Sequence, residues 1–230
     1  SIAKHFRVPS LIIGMTIVAM GTSLPETAVS VTASIAGSNA LAVSNAIGSN
    51  IFNLMVVIGV CAVLTPVAVQ KSSLKIDIPF SMVCALLLLV LGHNHMMLTR
   101  VNGLILILLF VFFILYMIRS AQHSMNCEDS EFSSEASEMK VMSIPKSLLF
   151  IVLGIAGIPL GSDWVVDGAK TIASACGISE NLIGLTIVAC GTSLPELMTS
   201  IVAARKNEVD MALGNAVGSN IFNILMVLGI

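Results

Sequence analysis

Charge is what this sequence has least of. Only 10% of its 230 residues are Asp, Glu, Lys or Arg, against 56% hydrophobic, and the mean hydropathy is +0.98. A water-soluble domain is about a quarter charged, so this shortage excludes one and indicates an integral membrane protein. The formal net charge of −2 gives no electrostatic basis for a nucleic-acid partner. None of the five cysteines forms a CxxC, and HExxH and GxSxG are missing, which removes the usual grounds for a zinc site or a hydrolytic enzyme. The "HNH" at 93–95 has no Cys, Asp or Glu beside it and reads as a loop. The acidic stretch 128–138 lacks the glycine-containing twelve-residue pattern of an EF-hand and reads as a solvated loop. No cofactor and no obligate protein partner is evident.

Long apolar runs are what the sequence does have. A spanning helix needs about 20 apolar residues. Segments near 8–36, 42–66, 77–95, 101–119, 145–174, 178–204 and 210–230 qualify, giving an all-α, multi-span helical bundle in a lipid bilayer. Labelling the spans alternately puts Lys4, Arg7, Lys71, Lys75, Arg119, Lys140, Lys146, Arg205 and Lys206 on one side and only Arg100 and Lys170 on the other. That asymmetry assigns the first side to the cytoplasm of a multi-pass cell-membrane protein, together with the Ser- and Glu-rich loop 120–144.

The chain also repeats itself. A shift of 170 residues carries "GMTIVAMGTSLPE" at 14–26 onto "GLTIVACGTSLPE" at 184–196, and "NAIGSNIFN" at 45–53 onto "NAVGSNIFN" at 215–223. The matched letters are largely polar, Gly or Pro, so an apolar coincidence does not explain them. The organisation is a first repeat over 1–66, two further spans over 67–119, the loop 120–144, one span over 145–177, and a second repeat over 178–230. Five spans separate equivalent points, an odd number, so the two copies cross the bilayer in opposite directions. Inverted-topology repeats are typical of secondary transporters, which hold substrate near the midplane on discontinuous helices. Ser1-Ile2-Ala3 align with Thr171-Ile172-Ala173 at the tail of the span at 145–174, and the sequence stops before any counterpart of the spans that follow Leu64, so the chain is expected to be a piece of a longer protein.

Each copy places Pro and Glu inside a span. Pro25 and Pro195 have no N–H, which deprives the carbonyls of Gly21 and Gly191 of their helical partners and is expected to kink both helices. A lone charge at mid-membrane costs about 2.5–3.5 kcal/mol on insertion scales, so Glu26 and Glu196 are expected to face each other across a bound cation or protons. Thr22, Glu26 and Ser30 share a helical face with Ser23 adjoining, and Thr192, Ser193, Glu196 and Ser200 repeat them. On the next helix Asn45, Ser49 and Asn53 form a stripe, repeated by Asn215, Ser219 and Asn223. Such a stripe serves either cation binding or interhelical hydrogen bonding. Gly48 and Gly218 are expected to bring this helix close to the acid-bearing one. The donors are all oxygen, which suits hard cations such as calcium over zinc or copper. Asp163 and Asp167, a turn apart near a span end, either attract cations or cap the helix.

The paired GTSLPE and GSNIFN segments resemble the two alpha-repeats of the cation/calcium exchanger superfamily, especially prokaryotic sodium/calcium antiporters. The resemblance implies a ten-helix fold of which this chain supplies the second to eighth helices, and a transported cargo of calcium and sodium ions. By the same resemblance Glu26 and Glu196 serve both ions, and Thr22, Thr192, Ser23, Ser193, Ser49 and Ser219 complete the sites. The carbonyls of Ala19 and Ala189 contribute, and Asn53 and Asn223 occupy a central position that is acidic in potassium-dependent relatives. Two asparagines there argue against potassium co-transport. Proton coupling and, further off, a passive cation channel are the competing readings.

Overall fold

The computed structural model describes residues 9–37, 39–71, 73–93, 98–126, 144–177 and 189–230. Most of the HNH motif, Cys127, the acidic stretch 128–138 and residues 178–188 lie outside them.

Every expected span has a helical counterpart. The first comprises α1 (Ser10–Ile13), a π-helical turn at Gly14–Val18, α2 (Ala19–Thr22) and α3 (Leu24–Ile35). The second is α4 (Asn39–Phe52), a π turn at Asn53–Val57 and α5 (Ile58–Leu64). A π turn at Ser73–Asp77 leads into α6 (Ile78–Gly92), followed by α7 (Arg100–Asn126) and α8 (Ile144–Ala175). The second repeat contributes α9 (Ala189–Thr192), α10 (Leu194–Arg205), α11 (Val209–Phe222) and a π turn at Asn223–Val227. Among the described residues, Leu41–Leu64, Ser73–Gly92 and Arg100–Gln122 are each long and apolar enough to cross a membrane, and Ser10–Ile35 joins them if its bent halves count as one span. α7 runs seven residues past the expected end at 119. Hydropathy falls at Ser120, but nothing in Ser120–Asn126 breaks a helix, so the coil continues beyond the apolar run.

The bundle is turned inside out relative to a soluble protein. Large apolar side chains such as Leu89, Val90 and Phe112 face outward, where hydrocarbon replaces water, while Glu26, Glu196, Asn53 and Asn223 are completely buried. An apolar core of Leu106, Phe110, Phe113, Ile221, Phe222 and Leu225 packs α7 against α11 and the π turn after it. Every residue from Ala212 to Phe222 is buried, which makes α11 the central helix of the described structure.

Glycine sets how close this helix comes to its neighbours. A Cβ on Gly218 would lie 2.6 Å from both Cα and O of Met15, and one on Gly214 would lie 2.5 Å from the carbonyl oxygen of Leu11. The sequence suggested that Gly218 brings this helix close to an acid-bearing one, without saying in which repeat. The close contact is with the first half of the broken, acid-bearing helix of the other repeat, because inverted copies interlock across their pseudo-two-fold axis. Small residues allow such backbone approach where lipid provides no hydrophobic drive between helices. The repeat extends to the helix ends: Gly37 and Asn207, 170 residues apart, terminate α3 and α10 with φ of +77° and +58°. Both are residue types that tolerate the left-handed conformation.

Candidate functional site

Each acid-bearing helix breaks where proline requires it. Ser23 (φ −86°, ψ 13°) and Ser193 (φ −89°, ψ 4°) leave helical geometry, and a new helix starts with Pro25 or Pro195 in its first turn. In the first repeat the two halves bend by 47°. The break puts Glu26 and Glu196 in the first turn of a twelve-residue helix, where the positive end of the backbone dipole favours a carboxylate.

The two glutamates are held by serines exchanged between the repeats. Ser193 donates to Glu26 Oε1 at 3.1 Å, and Ser23 donates to Glu196 Oε1 at 2.8 Å. The serine on each acid's own repeat adds a longer bond, Ser49 to Glu26 Oε1 at 3.5 Å and Ser219 to Glu196 Oε1 at 3.3 Å. Both Oε2 atoms are buried without a hydrogen-bond partner, as are Asn53 Oδ1 and Asn223 Oδ1. These four buried acceptors without donors come in symmetry-related pairs, and an unpaired buried acceptor costs about 1–3 kcal/mol, more when charged.

The surrounding bonds build the walls. Asn45 Nδ2 donates to the Glu26 carbonyl (3.3 Å) and Ser30 Oγ (3.0 Å), and Asn215 Nδ2 donates to the Glu196 carbonyl (3.2 Å) and Ser200 Oγ (3.0 Å). Their oxygens accept across the repeats, Asn215 Oδ1 from Thr22 at 3.2 Å and Asn45 Oδ1 from Thr192 at 3.5 Å. For Asn45 and Asn215, interhelical hydrogen bonding is therefore the role the structure displays. Asn53 and Asn223 lie elsewhere in the network: their amides donate to Asn220 and Asn50 and not to the glutamates.

The ten polar residues singled out from the sequence, Thr22, Ser23, Glu26, Ser49, Asn53 and their counterparts Thr192, Ser193, Glu196, Ser219 and Asn223, are all buried. The carbonyl of Ala19 already accepts the Ser23 N–H at 3.0 Å and the Thr22 hydroxyl at 3.3 Å, so it is less available than the sequence implied. Ala189 opens α9, as Ala19 opens α2. Asp167 is exposed, as suits the end of a span. Among the described residues no three His, Cys, Asp or Glu cluster, so the centre offers oxygen ligands only. Sequence reasoning passed over Asn50 and Asn220. They sit one residue off the Asn45–Ser49–Asn53 stripe, although the matched "GSNIFN" contained them.

Oppositely oriented repeats, proline-broken helices and a buried oxygen-only centre with two acids define a membrane transporter for cations. The sequence profile of the family described as Sodium/calcium exchanger protein matches residues 1–119 and 146–230, and the chain belongs to that family, which comprises transporters rather than enzymes. It is 43% identical to the putative antiporter CaxA of Alkalimonas amylolytica over its whole length, covering 72% of that protein. It is 37% identical to the inner membrane protein YrbG of Escherichia coli K12, again over its whole length and 71% of that protein. A solved structure of the sodium-calcium exchanger NCX_Mj, soaked with sodium and strontium, superposes on 99% of the chain and 72% of its own with a TM-score of 0.83 and 37% identity.

Proposed function

We propose that the protein expels calcium in exchange for sodium, using one shared acidic centre exposed alternately to the two sides of the cell membrane. The observation that carries this reading is the set of four buried, donor-free oxygens, Oε2 of Glu26 and Glu196 and Oδ1 of Asn53 and Asn223. Calcium takes six to eight oxygens, and the hydroxyls of Thr22, Thr192, Ser23, Ser193, Ser49 and Ser219 stand close enough to the acids to supply the remainder, with the Ala19 and Ala189 carbonyls at the margin. Sodium accepts the same hard donors at half the charge. Because both ions need the same two carboxylates, calcium and sodium exclude each other, and that exclusion couples their fluxes.

A second reading, proton coupling, draws on the same observation, since a carboxyl Oε2 without a donor also accepts a proton. Hydroxyls arranged around the acids favour sodium, because a proton needs no coordination shell. Calcium flux in sealed vesicles separates the two: a sodium gradient should drive it and a pH gradient alone should not. Glu26→Gln and Glu196→Gln should each abolish the sodium-driven flux, since an amide removes half of the charge that compensates the cation. Undiminished exchange in either variant overturns the shared centre, and flux without any counter-ion would mark a channel.

A further inference from the structure

Asn53 and Asn223 are useful to a cation only if their carboxamides point oxygen, not NH2, toward it. The two orientations have nearly the same shape, so packing alone does not choose between them. The choice is made by a ring of amides around the pseudo-two-fold axis. Asn50 and Asn220, 170 residues apart and hence equivalent in the two repeats, bond to each other reciprocally: Asn50 Nδ2 to the Asn220 carbonyl at 3.2 Å, and Asn220 Nδ2 to the Asn50 carbonyl at 3.3 Å. A backbone carbonyl only accepts, so it draws the NH2 end of each side chain to itself and leaves Oδ1 facing away. Asn220 Oδ1 then accepts from Asn53 Nδ2 at 3.2 Å, and Asn50 Oδ1 accepts from Asn223 Nδ2 at 3.1 Å. With their NH2 groups committed, Asn53 and Asn223 keep Oδ1 as the free, buried end.

We infer that Asn50 and Asn220 are positioning residues that fix the amide polarity of Asn223 and Asn53, so that both present oxygen to the transported cation. This inference rests on the proposed cation-binding role of Asn53 and Asn223. The polarity originates in two main-chain carbonyls, which cannot flip, and passes through one side chain to the next across the repeat boundary. Neither Asn50 nor Asn220 needs to touch the ion. Loss of either one frees the amide it steers to turn its NH2 inward, where it repels a cation.

An aspartate at position 53 has two equivalent oxygens and no wrong face, which provides the test. Calcium KM for sodium-driven uptake is measured in vesicles for the wild type, Asn220→Ala, Asn53→Asp and the double variant. Asn220→Ala should raise KM about tenfold with Asn53 present, and by less than about twofold when position 53 is Asp. The pair Asn50→Ala and Asn223→Asp should behave alike in the mirror half. An equal rise in both backgrounds, no rise in either, or loss of folded protein in both overturns the inference, because the ring would then serve packing alone. If the wild type itself shows no sodium-driven calcium uptake, the proposed function fails, and not merely the role of the ring.

Discussion

Ser23 and Ser193 show how one side chain can serve two ends at once. Each ends a helix before proline and each donates to the glutamate of the opposite repeat, at 2.8 and 3.1 Å. With a cation bound and the acid ionised the bond is charge-assisted, and a hydrogen bond to a charged group is worth about 1.5–3 kcal/mol. Replacing either serine with alanine removes one donor and one candidate cation ligand together. Ser23→Ala and Ser193→Ala are therefore expected to weaken calcium transport to a similar degree, with KM raised about tenfold in each. Measuring both KM values checks the symmetry, and a silent variant would show that the two acids are not held alike.

At the scale of the element, the helices are specialised by what they lack. α3 and α10 carry proline as their second residue and so do not continue the helices before them, which leaves main-chain dipoles aimed at buried acids. α11 lacks bulk where it meets the first repeat. A methyl group on Gly218 would collide with Met15 main-chain atoms that have no rotamer by which to retreat. Gly218→Ala should cost about 1–3 kcal/mol of stability, the usual cost of overpacking, seen as a lower Tm in detergent. Gly59→Ala is the control: nothing lies within 4 Å of a Cβ there, and its Tm should match the wild type. The π turns beginning at Asn53 and Asn223 also belong to this scale. Each widens the helix by one residue where a site amide is carried, a frequent position for π-bulges.

For the whole molecule, inverted topology makes the two faces of the membrane unequal in charge but nearly equal in architecture. Nine basic residues against two are the ground for proposing that the 120–144 loop is cytoplasmic, and one further crossing would then put the turn after α8 outside. Native cysteines report on both. A membrane-impermeant thiol reagent should label Cys176, which is exposed, in right-side-out vesicles, and Cys127 in inside-out ones. The reverse pattern would invert the orientation, and with it the proposed direction of calcium export.

The letters alone set the spans, the break at each GTSLPE, the inverted pairing and the ten buried polar residues, because apolar length, proline chemistry and a parity count are local or additive properties. They left open which helix Gly218 would meet, whether the asparagine stripe would bind ions or helices, and the part played by Asn50 and Asn220. The structure divided that stripe: Asn45 and Asn215 tie helices together, while Asn53 and Asn223 keep an oxygen free. That division depends on hydrogen bonds between residues 147 to 193 positions apart, and on amide orientation, which a one-letter code does not carry. Only the packing of one repeat against the other brings a fixed main-chain carbonyl within reach of an amide that can point either way.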